Sequence, residues 1–109
     1  MARTRMRDRR ESTTIRFTWT QASGATKEVL CTVGVEGGKV LEVFCSDFKV
    51  GSDHFAIITD ACIVLSRLLQ HGDSPADILA SMCQPPSLLG HLAAAVAVEQ
   101  ERVNQEAGA

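Results

Sequence analysis

The sequence points to an α+β fold: a three-stranded antiparallel meander followed by three helices packed on the sheet. Three observations lead there. The first half of the chain alternates apolar and polar residues with a period of two. A Gly-Gly pair and a glycine-bearing turn separate the alternating stretches. The second half repeats its apolar residues at intervals of three and four.

Residues 1–12, MARTRMRDRRES, are charged and nearly free of apolar side chains, the composition of a disordered basic leader. From Thr13, TTIRFTWT puts Ile15, Phe17 and Trp19 on one face and Arg16, Thr18 and Thr20 on the other, a half-buried strand. QASGATK turns the chain at Gly24. EVLCTVGV alternates again and groups Val29, Cys31, Val33 and Val35. Gly37-Gly38 signals a hairpin, and KVLEVFC supplies the third strand. If Leu41, Val43 and Cys45 face the core, Val40 and Phe44 point outward, as Leu30 does on the second strand. An outer face with Leu30, Val40 and Phe44, joined by Ile63 from the following helix, suits a homodimer or larger assembly. Helices on both faces of the sheet would absorb the same residues.

The helix that follows carries one apolar stripe of Phe55, Ile58, Cys62, Leu65 and Leu69, stepping by 3, 4, 3 and 4. Ile57, Ala61, Val64 and Leu68 form a second stripe beside it, so that about half the cylinder is apolar at roughly 100° per residue. Asp60 and Arg67 mark the polar side, with Ile63 between them, and Gly72 after His71 stops the helix. Ser74 caps a second helix, with Pro75 in its first turn and Asp77 three residues after the cap. QPP ends it. A third helix turns Leu89, Leu92 and Val96 inward, and from Glu99 on it is almost wholly polar, hence frayed in solvent or paired with another chain. Residues 13–106 then form a single domain with one core.

Composition narrows the function. Hydrophobic residues make up 45% of 109, and no stretch reaches the ~18 uninterrupted apolar residues of a membrane span. The N-terminus lacks the apolar run of a secretory signal, so a cytoplasmic location is expected. Charge is uneven. Up to Arg16 there are six arginines against two acids, a net of +4; from Phe17 on, five bases face eleven acids, a net of −6. Such a basic arm seeks a polyanion. Arg3, Arg5, Arg7, Arg9 and Arg10 are the candidate nucleic-acid contacts, and a solvated leader is the plainer reading.

Cys31, Cys45, Cys62 and Cys83 stand singly, without a CxxC pair, and read as small hydrophobes rather than zinc ligands or a redox dithiol. Cys45 and Cys83 end their elements, where exposure would permit reaction. His54, His71 and His91 have no partner at helical ligand spacing, and no Ser-His-Asp or Cys-His order emerges. Catalysis, a metal and a cofactor are therefore not expected. One loop invites a ligand: in DFKVGSDH, Lys49 and the backbone amides of Gly51 and Ser52 precede a helix N-terminus, an arrangement that holds anions. It lacks the Walker pattern and the three spaced glycines of a dinucleotide fingerprint, and Asp47 and Asp53 bracket it. A strand-to-helix turn, with Asp53 as cap and Gly51 allowing the tight path, fits better.

The stretches GGKVLEVFCSDFKVGSD, DACIVLSRLLQHGDSPADILASMC and PPSLLGHLAAAV resemble the TSCPD domain. That domain lies near the C-terminus of cobalamin-dependent ribonucleotide reductases and also occurs as short standalone bacterial proteins. The resemblance spans residues 9–98 and rests on Glu42, Phe44, Lys49, Gly51, Asp60, Gln70, His71 and Gly72. The Cys-Pro segment is echoed at MCQPPS, where Gln84 separates Cys83 from Pro85, and no role is carried over through it. The resemblance implies an α+β fold and a link to deoxynucleotide synthesis. Reductase chemistry needs a large barrel, a cobalamin site and paired redox cysteines, which this length cannot hold. Two functions follow: a non-catalytic accessory or regulatory module for a protein partner such as a reductase, or a small nucleotide or nucleic-acid binder using the leader and the Lys49–Gly51 loop.

Overall fold

Period-two alternation becomes strand wherever one face can be buried, and here it does so three times. A computed structural model describes residues 11–107. In it β1 (Glu11–Thr20), β2 (Thr26–Glu36) and β3 (Lys39–Phe44) form an antiparallel sheet in the order β1-β2-β3. Ile15 faces Cys31 across β1–β2, and Val33 faces Val43 across β2–β3. The strand begins at Glu11, so Glu11 and Ser12 pair with Val35 and Gly34 rather than belonging to the leader. Arg3, Arg5, Arg7, Arg9 and Arg10 lie outside the described residues. Gly37 and Gly38 both take positive φ, +61° and +75°, the backbone that a two-residue hairpin turn demands.

Three helices follow: α1 (Asp53–Gln70), α2 (Pro75–Ala80) and α3 (Leu88–Ala107). The sequence-based expectation of an α+β meander with three helices matches this architecture. The helices bury the sheet face that carries Val29, Cys31, Val33 and Val35 against Ile58, Cys62, Leu65, Leu92 and Val96. Principal neighbours are β3 for α1, β1 and β3 for α3, and α3 for α2. At the end of α1, the Gly72 and Asp73 amides donate to the Leu69 and Leu68 carbonyls, closing the helix where the glycine was expected to stop it. Ser74 caps α2, its hydroxyl accepting from the Asp77 amide at 3.1 Å.

Val40 is the correction within the sheet. Gly34 pairs with Glu42 but Val35 pairs with Val40, so Leu41 is an extra residue in β3. Such a bulge reverses the parity of side chains beyond it. Val40 therefore joins Val35 on the core side, only 2% exposed, and cannot belong to an interface.

Side chains from two helices complete the hydrogen bonding of β3. The Val43 amide donates to Ser66 Oγ, and the Ser66 hydroxyl donates back to the Val43 carbonyl, both at 3.0 Å. Gln70 Nε2 donates to the Leu41 carbonyl at 3.0 Å. From α3, Gln100 Oε1 accepts from the Val40 amide at 2.8 Å while its Nε2 donates to the Gly38 carbonyl at 3.0 Å. The polar end of α3 is thus docked on its own sheet, with Val103 in the core. Glu99 is buried there because Arg102 Nε donates to both its carboxylate oxygens at 3.0 Å.

Candidate functional site

The loop between β3 and α1 uses most of its polar groups to hold itself together. Ser52, not Asp53, is the N-cap: its hydroxyl accepts from the Phe55 amide at 3.1 Å and donates to the Lys49 carbonyl at 2.6 Å. Asp53 instead occupies the first helical turn, where a carboxylate complements the helix dipole. Gly51 has φ +88°, so the tight path expected of it is present, and any side chain would be strained there. Asp47 reaches back to the sheet, accepting from the Leu30 amide at 2.9 Å and lying 3.9 Å from Lys27 Nζ.

Aromatic packing pins the same loop, an arrangement that sequence spacing did not reveal. The Phe48 ring stacks on His54 at 5.9 Å, and both meet Trp19 of β1 edge-on at 6.0 and 5.5 Å. Lys27 Nζ stands 5.3 Å from the centre of the Phe48 ring. Of the three proposed anion ligands, the Ser52 amide donates to the Lys49 carbonyl at 3.0 Å within the turn. Lys49 is exposed.

Two apolar surfaces stay open once the core is built. One is the face expected from the strand pattern. Phe44 (52% exposed) and Ile63 (55%) border a single groove of about 450 Å³ between β3 and α1, with Phe55 and Arg67 also on its walls. Leu30, also exposed, sits diagonally from Phe44 across the β2–β3 pair, within reach of its ring.

The other surface is the second stripe of α1. Ile57 and Val64, each 58% exposed, and Leu68 lie along a groove of about 270 Å³ whose far wall carries Ile78, Met82 and Leu89. Periodicity shows that this stripe is apolar. It cannot show that α2 and α3 stop short of covering it.

Cys31, Cys45 and Cys62 are buried and Cys83 is exposed. Cys45, at the end of β3, is buried as a small hydrophobe, and its Sγ–H donates to the Leu30 carbonyl at 3.3 Å. Burial, reinforced by the neighbouring thiols, pushes Cys31 and Cys62 from 9.0 up to about 12. Between those values the folded state keeps protons that the unfolded state releases. The stabilisation from these neutral thiols is complete below pH 9 and is lost as pH rises toward 12. Urea midpoints measured from about pH 8 to about pH 11 should fall, and Cys31→Ala with Cys62→Ala should flatten that fall.

Among the described residues no group of three or more His, Cys, Asp or Glu is arranged to hold a metal ion, and no helix is long and apolar enough to cross a membrane. No family model, curated protein or solved structure matches this chain. The geometry therefore has to carry the functional reading. It brings Phe44 and Ile63 to one groove, sets Leu30 diagonally from Phe44 across β2–β3, and puts Val40 in the core.

Proposed function

We propose that this chain is a non-catalytic accessory module that binds a protein partner through the groove between β3 and α1. The observation that carries this reading is the pair of large apolar side chains, Phe44 and Ile63, left open on one groove while every cysteine but Cys83 is buried. An aromatic anchor with a polar rim of Glu42, Arg67 and Gln70 has the make-up of a protein-binding hot spot. The resemblance to TSCPD domains supplies the candidate partner, a cobalamin-dependent ribonucleotide reductase.

Calorimetric titration of such a reductase with the full chain tests it. Binding is expected to vary little with salt and to be lost on Phe44→Glu, which leaves the melting temperature in place because the ring is outside the core. No binding by the wild type, or binding indifferent to Phe44→Glu, would refute the reading. A second function is favoured by one observation, the exposed Lys49 next to the N-terminus of α1. If that site takes nucleoside phosphates, their micromolar binding at low salt should vanish in Lys49→Ala and weaken steeply as salt rises.

A further inference from the structure

We infer that the exposed apolar face of α1 is the two-fold interface of a homodimer, in which α1 packs antiparallel against α1 of a second copy. The seam shares no residue with the partner groove proposed above, which flanks the helix on its β3 side; of its rim, Arg67 also lines that groove. The seam is Ile57, Ala61, Val64 and Leu68, spaced 4, 3 and 4, the spacing that keeps one stripe turned toward a neighbouring helix. These residues are open to solvent in the single chain, apart from the partly buried Ala61. An antiparallel second copy sets Ile57 opposite Leu68 and Ala61 opposite Val64. The small side chain then meets a branched one, and the helices approach closely.

The rim identifies the occupant. Asp60 and Arg67 lie seven residues apart, hence on the same edge of the seam, and neither side chain has an ion-pair or hydrogen-bond partner among the described residues. The two-fold that pairs position 57 with position 68 brings Asp60 of one copy within two residues of Arg67 of the other, about 3 Å along the axis at 1.5 Å per residue. The long arginine side chain spans that offset. Symmetry repeats the contact, so the face carries its own complement in both shape and charge.

Sedimentation equilibrium of the full chain, at roughly 10–200 µM and low salt, reads the outcome directly. The wild type is expected at twice 11.7 kDa and Val64→Glu at 11.7 kDa, with the melting temperature of the dilute chain preserved because Val64 is outside the core. Asp60→Arg and Arg67→Asp each replace two attractive contacts with two repulsive ones and should raise the dimer Kd about tenfold or more. An equimolar mixture of those two variants should reassociate, since every rim contact between them is again opposite in sign. That recovery is specific to the antiparallel two-fold and does not depend on how well Val64→Glu folds. A monomeric wild type, a dimer that survives Val64→Glu, or a mixture no tighter than its components would overturn the inference. Phe44→Glu should leave the dimer intact while removing the protein partner, so the two surfaces fail separately; a dimer dissociated by Phe44→Glu would place the contact on the sheet side and also overturn it.

Discussion

Ile58→Ala is expected to destabilise the fold by ~2–5 kcal/mol and to lower the melting temperature by on the order of 10 °C or more. Ile58 is 0% exposed, points from α1 into the sheet and borders neither open groove, so neighbours cannot collapse into the space and water cannot fill it. The better helix propensity of alanine returns only a few tenths of a kcal/mol. Leu65→Ala belongs lower in the same range, because Leu65 lines the α1 groove and its cavity opens toward solvent. Ile57→Ala, one residue away, should cost about 1 kcal/mol or less in a dilute monomer, since that side chain already faces water. Thermal melts of the three variants check the assignment. A melting temperature unchanged in Ile58→Ala would mean that the inward stripe is wrongly placed.

Ser66→Ala should cost ~2–4 kcal/mol, far more than removing a methylene-sized group from a helix surface normally does. One hydroxyl satisfies both backbone groups of Val43 on the free side of β3, and Ser66 is itself buried. Alanine leaves an N–H and a C=O unpaired beneath α1, each carrying a desolvation cost of about 1–3 kcal/mol, less the small gain in helix propensity. Gln70→Ala should be milder, because Gln70 supplies one bond to the Leu41 carbonyl from a half-buried position. Urea denaturation of the two variants ranks them, and equal midpoints for Ser66→Ala and wild type would show that water replaces the hydroxyl.

Local pattern made the order of elements legible. Alternation at Ile15–Trp19 and Val29–Val35 specifies which strand face is apolar, because a strand turns its side chains with a period of two whatever lies around it. The caps at Ser74 and the stop at Gly72 follow equally from backbone groups that a helix leaves unpaired at its ends. The tight path of the β3–α1 loop is legible because a φ of +88° at Gly51 is a local demand. Its cap is not, because Ser52 and Asp53 are both good capping residues and only the path of the chain chooses between them.

What the sequence determined by itself is what bonded neighbours impose: strand and helix periods, hairpin and helix ends, and the existence of two apolar stripes on α1. Tertiary structure decided the rest. The extra residue at Leu41 moved Val40 inward, a shift in pairing visible only once β2 and β3 are side by side. The polar end of α3 proved to be a strut, because Gln100 finds its partners at Gly38 and Val40, some sixty positions away in the chain. Which α1 stripe is covered depended on how the helix lies against the sheet, and Ile58, Cys62, Leu65 and Leu69 join the core while Ile57 and Val64 are left to solvent. Periodicity records that a side chain is apolar; burial depends on which distant segment arrives to cover it, and that is a property of the packed chain alone.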